Sequence, residues 1–243
     1  MTNDRARLIL ADDHALVLEG LVKLLEPEFE VIGRAQNGRD LVELCEQLKP
    51  DGVLLDVSMP MLNGLDAVRR ISKSLPKTKM LVVTVHSDAE YVTEAFRAGA
   101  SGYVLKRSAV SELVTAVRQV LNGMIYVTPL VTQHLVDAVL DTRQQQPMPR
   151  LSPRQREVLQ LVAEGYTAKE IANILHISVK TVEFHKGALS SKLGLHNSAE
   201  MTKYAIEHGM SGAGIERGAL TKSATAGSEP MGPGRATRGI PGS

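Results

Sequence analysis

Two rhythms of apolar residues divide this chain. Short apolar runs at 8–11, 31–35, 53–55, 80–85 and 102–105 alternate with stretches whose apolar positions recur every three or four residues, at 15–25, 39–48, 65–74, 89–98 and 109–121. Runs of the first kind predict buried strands, and the longer spacing predicts amphipathic helices. Strand and helix in strict alternation build a parallel sheet with right-handed crossovers and helices on both faces. The expected fold of this half is therefore α/β, a doubly wound, flavodoxin-like sheet of five strands. Gly38, Gly64, Gly99 and Gly102 punctuate its element ends.

Beyond residue 150 the rhythm is helical only. Helices are expected at 153–163, 168–175, 179–193 and 198–207, an all-α unit of four. Ser152-Pro153-x-Gln155 and Thr167-x-x-Glu170 are capping boxes, the first with proline at the opening helical position, and Ser178 and Asn197 start two further segments. Helix, short turn and helix of this kind suggests a DNA-binding unit. Between the two regions, 129–140 reads as another helix and D-T-R-Q-Q-Q-P-M-P-R, 141–150, as a polar linker. From Ser211 onward Gly, Ala, Ser, Thr and Pro dominate, too little apolar surface to fold alone, and disorder is expected. The division is thus 1–122, 123–150, 151–210 and 211–243.

Composition narrows this little. Aromatics are 3% with no Trp, so the core must come from aliphatic residues and Met, which suits helices and buried parallel strands. The single Cys45, on the apolar face of a helical stretch, reads as core; a chain with one Cys forms no internal disulfide, which fits a reducing, cytoplasmic setting. Asp4, Arg5 and Arg7 before the short run at 8–11 do not resemble a signal peptide, and no stretch is long enough to span a membrane. The formal net charge of +1 argues neither for nor against nucleic acid; that has to come from placement.

The strand ends carry the chemistry. In this fold they meet at one edge, where ligands bind. The first strand runs into Asp12-Asp13, the third into Asp56, the fourth into Thr84 and the fifth into Lys106. Three carboxylates at one edge repel unless neutralised, and a hard divalent ion with oxygen ligands, Mg²⁺ above all, does this well. Lys106 adds a fixed positive charge and Thr84 a hydroxyl donor. Such an arrangement suits transfer of a phosphoryl group to Asp56, the carboxylate serving as nucleophile and the cations stabilising charge on the transferring oxygens.

With Asp12, Asp13, Asp56, Pro60, Thr84, Tyr103 and Lys106 in this order after these strands, the first half resembles the receiver domain of two-component response regulators. The resemblance implies that Asp56 is the phosphoacceptor, with Thr84 and Lys106 assisting. It implies that Asp13, Asp56 and the Ser58 backbone carbonyl hold Mg²⁺ directly and Asp12 through water. Thr84 and Tyr103 would form a switch pair, the phosphoryl oxygen recruiting the hydroxyl and vacating space for the ring. Val85 and His86, beside Thr84, depart from the small residue many receivers carry there and narrow access to the site.

In the second half, Val179, Val182, Leu189 and Leu193 recur at helical spacing and are expected in a small core, with Lys180, Glu183, Phe184, Gly187 and Ser191 on the opposite stripe. An exposed phenylalanine seeks either a thymine methyl in a major groove or another protein helix, and periodicity leaves both open. L-S-P-R-Q-R-E-V-L, G-Y-T-A-K-E-I-A, I-S-V-K-T-V-E-F-H-K and K-L-G-L resemble the LuxR-type helix-turn-helix, and its union with a receiver is the architecture of the NarL/FixJ family. That resemblance implies base-edge contacts from Glu183, Phe184 and Gly187, with Lys180, Thr181, His185, Lys186 and Lys192 near phosphates. G-A-L-S-S at 187–191 is less polar than is common in the family, so a homodimer on two half-sites is expected to supply affinity that a monomer lacks.

The expectation is a cytoplasmic transcriptional regulator rather than an enzyme: a sensor histidine kinase phosphorylates Asp56, altering dimerisation or interdomain packing and so binding to double-stranded promoter DNA. The alternative is a regulator working through protein contacts. An aspartyl-phosphate hydrolase of the haloacid dehalogenase type is disfavoured, because the second Asp such enzymes need two residues after the nucleophile is Ser58 here.

Overall fold

The structure, a computed structural model, describes residues 5–108, 110–132 and 151–210. The five expected strands are present as β1 (Arg7–Ala11), β2 (Glu30–Ala35), β3 (Gly52–Leu55), β4 (Lys79–Thr84) and β5 (Gly102–Leu105). They alternate with α1 (Ala15–Leu25), α2 (Gly38–Leu48), α3 (Gly64–Ser74), α4 (Ala89–Ala98) and α5 (Val110–Leu121). A sixth strand, β6 (Tyr126–Val127), corrects the expected count of five, and the sheet order is β2-β1-β3-β4-β5-β6 with every pairing parallel. This strand lies beyond residue 122, where the first domain was expected to end. Two residues after an Asn-Gly turn are too short for any period to register. The helix expected at 129–140 is seen only in its first turn, 129–132; the rest of it, the linker and the tail lie outside the described residues.

The inner strands β1, β3, β4 and β5 are buried on both faces, and alternation sorts their side chains. Ile9, Ala11, Val53, Leu55, Met80, Val82, Tyr103 and Leu105 pack with α2, α3 and α4, while Leu8, Leu10, Leu54, Leu81, Val83 and Val104 pack with α1 and α5. Cys45 is in the first of these layers, and burial pushes its thiol up to about 12, which keeps it inert.

The helical region comprises α6 (Pro153–Ala163), α7 (Ala168–Leu175), α8 (Val179–Leu193) and α9 (Ser198–Glu207). Both capping boxes form: Gln155 N–H donates to Ser152 Oγ and Glu170 N–H to Thr167 Oγ1, and the Gln155 and Glu170 side chains reach back to the cap amides. Ser178 and Asn197 cap α8 and α9. Val158, Leu161, Ile171, Leu175, Val182, Leu189 and Ala205 make the shared core. The sheet and this bundle belong to one compact unit within Met1–Ala213.

Candidate functional site

Register brings the acidic residues together. Ala11 pairs with Leu55 and Thr84 with Leu105, so the residues that follow β1, β3 and β5 leave the sheet at one level. Asp12 and Asp56 are almost wholly buried, and Lys106 reaches between them, its Nζ 2.6 Å from Asp12 Oδ2 and 2.8 Å from Asp56 Oδ2. Burial opposes the lysine charge, but the hydrogen bonds to Asp12 and Asp56 outweigh it and hold its pKa above the usual range. Asp56 Oδ1 accepts from the Val57 amide at 2.6 Å, and Gly64 seats against the Asp56 carbonyl, where a Cβ would lie 2.0 Å from that oxygen. Asp56 is therefore fixed by its own loop.

Asp13 lies at the outer side of this group. Burial raises its pKa, the nearby His14 opposing, and its buried Oδ1 lies 2.7 Å from the His14 Nδ1 without a well-aligned hydrogen bond. Asp12, Asp13 and His14 offer ligand atoms within 4.8 Å of one another. A buried carboxylate oxygen short of a donor, beside two further carboxylates, fits a hard divalent cation.

Thr84 is completely buried, and its Oγ1 is 3.5 Å from the His86 amide. Tyr103 is already turned inside, fully buried, its hydroxyl donating to the His86 carbonyl at 2.9 Å. The inward ring needs no phosphoryl group to make room, because that carbonyl satisfies the hydroxyl. His86 itself crosses the mouth of the site: its Nε2 is 3.0 Å from Ser58 Oγ, and its ring stacks on Tyr91 at 4.3 Å. Burial lowers the imidazole pKa, and the tautomer sets which of His86 and Ser58 donates.

On α8 every residue of the expected stripe is exposed. Lys180, Glu183, Phe184, Gly187, Ser191 and Lys192 are exposed, Phe184 at 71%, while Thr181 and His185 are half-buried. Lys186 is also partly covered, 3.5 Å from Glu183. Val179, expected in the core, is exposed: it opens the helix directly after the Ser178 cap and projects past the end of the bundle.

Sequence reasoning missed a third group. Gln160 on α6, 1% exposed, donates to the Met59 carbonyl at 2.9 Å and accepts from the Asn63 amide at 2.8 Å. Glu164 accepts from the Met61 amide at 3.1 Å and from Gln160 at 2.7 Å, and Met61 has a left-handed φ of 67°. Arg156 forks onto Asp66 of α3 at 2.8 and 2.9 Å, and Arg70 pairs with Glu157. The helical bundle thus holds the loop that leads from Asp56 to α3. Glu157, Gln160 and Glu164 were readable only as a polar stripe, which on a helix normally means solvent.

A family model described as the response regulator receiver domain matches residues 8–118, and one described as bacterial regulatory proteins, luxR family, matches residues 149–205. The chain is 33% identical over 227 residues to the transcriptional regulatory protein DegU of Brevibacillus brevis, a match covering 86% of this chain and 96% of that protein. It is 39% identical over 210 residues to the oxygen regulatory protein NreC of Staphylococcus aureus strain JH9, covering 83% of this chain and 97% of that one. The two-component response regulator RcsB, solved in complex with DNA, superposes with a TM-score of 0.52 at 28% identity, covering 83% of this chain and 98% of that chain. Among the described residues no helix is long and apolar enough to cross a membrane.

Proposed function

Since this chain belongs to the LuxR-type DNA-binding response regulators of two-component systems, the NarL/FixJ family, we propose that Asp56 is its phosphoacceptor and α8 its DNA-reading helix. A sensor histidine kinase is the phosphodonor. An Asp56 carboxylate oxygen attacks phosphorus, and the bond to the donor nitrogen breaks with that nitrogen keeping the electron pair. Lys106 swings from neutralising the carboxylates to neutralising the phosphoryl oxygens, and the Thr84 hydroxyl donates to one of them. Asp13, Asp56 and the Ser58 carbonyl would hold Mg²⁺ directly and Asp12 through water; the ion supplies electrostatic stabilisation of the transferring group. The Thr84 hydroxyl then registers the new charge, which is about −1.5 to −2, beside a Tyr103 ring that is already inward.

The observation that carries this reading is Lys106 bridging Asp12 and Asp56 at the strand ends. On the DNA side, Glu183, Phe184 and Gly187 face base edges, with Lys180, Thr181, His185, Lys186 and Lys192 near phosphates. Phosphorylation favours a homodimer on paired half-sites through dimerisation or interdomain packing. Selection from a random DNA pool, with Mg²⁺ and a small-molecule phosphodonor, tests both roles. The wild type should incorporate phosphate and enrich a paired motif, and Asp56→Asn should do neither. Phosphate incorporation by Asp56→Asn would remove Asp56 from the role.

A further inference from the structure

The surface of the helical bundle that docks on the receiver and the surface that faces DNA are different surfaces. Docking uses Arg156, Glu157, Gln160 and Glu164 along α6 and just after it, together with Gly209 beyond α9, where a Cβ would lie 2.2 Å from the Tyr91 hydroxyl. None of the bundle–receiver hydrogen bonds and ion pairs described above uses a residue of α8. Its Val182 and Leu189 point inward to the core that α6 shares, and its opposite stripe faces out of that core. That stripe is uncovered: Phe184 is 71% exposed, and a Cβ built on Gly187 meets nothing within 4 Å.

We infer that the docked protein binds a single half-site of duplex DNA without releasing the receiver, so that docking does not work by covering the DNA-reading helix. The inference rests on the assignment of α8 as that helix. Its consequence is that unphosphorylated protein occupies half-sites, and phosphorylation acts on the pairing of two copies. A ligand that binds docked and released forms equally shifts nothing between them, so half-site DNA should leave the docking equilibrium where it was.

The test uses the full chain, unphosphorylated, on a duplex carrying one half of the selected motif. Three forms are compared: wild type; Arg156→Ala with Gln160→Ala, which releases the bundle; and Asp66→Cys with Arg156→Cys joined by a short bismaleimide, which locks it. Cys45 is buried and remains unmodified. Hydrogen exchange at the Met61 and Asn63 amides reports docking directly, since both are held by α6 side chains. All three forms should bind the half-site within about twofold of one another, with unchanged protection at those amides when DNA is added to the wild type. Binding by the released form tenfold or more above the locked one overturns the inference and leaves α8 as the DNA helix. Binding by none of the three, or binding that survives Phe184→Ala with Lys180→Ala, overturns the α8 assignment and the inference with it.

Discussion

Replacing Lys106 by Met removes the one cation between two buried carboxylates. The Asp12 and Asp56 oxygens that touch its Nζ then face each other at roughly 5 Å, where two like charges repel by about 3 kcal/mol at an effective dielectric near 20. That figure agrees with the cost of about 3–5 kcal/mol for deleting one partner of a buried ion pair. In the wild type the raised lysine pKa means its contribution is present throughout the neutral range and fades only above the ordinary lysine titration. In the variant that contribution is gone. Urea unfolding followed by circular dichroism at pH 7.5 should show Lys106→Met less stable than the wild type by about 3 kcal/mol. Mg²⁺ should also stabilise the variant more than the wild type, because the ion no longer competes with the ammonium; at about 100 times its Kd a ligand adds roughly 2.7 kcal/mol. A variant as stable as the wild type, with no added response to Mg²⁺, would refute the convergence of the two carboxylates.

Gly64→Ala places a methyl 2.0 Å from the Asp56 carbonyl, a backbone atom that cannot step aside. It should cost about 3 kcal/mol in thermal unfolding, at the top of the usual overpacking range. Gly20→Ala in α1, where a Cβ meets nothing within 4 Å, should instead gain up to about 1 kcal/mol from helix propensity. Lys180→Ala should weaken DNA binding similarly across sequences and reduce the slope of log affinity against log salt by about 1; a loss confined to one base position would mark a base contact instead.

Much of the candidate site was legible in the sequence, because its charged and hydroxyl residues lie where short apolar runs end, and such runs mark buried strands. Asp12, Asp13, Asp56, Thr84 and Lys106 are brought to one edge by the parallel order of the sheet, which follows from alternation with helices. The capping boxes were equally readable, since a cap is a local bond within three residues. Val179 was misplaced because periodicity continues formally to the first residue of a helix, while the bundle that would bury it stops short. Strand β6 escaped because two residues have no period.

Local pattern determined the elements, their order and the chemistry at their ends. Tertiary structure alone decided that Tyr103 is turned inward onto the His86 carbonyl, that the His86 ring meets Ser58, that Gln160 and Glu164 bury against the loop after Asp56, and that Glu157 pairs with Arg70 of α3. The physical reason is the same in each case. A polar side chain in water and one satisfied by a distant backbone amide have the same sequence signature, and only the folded chain brings that amide within 3 Å of it.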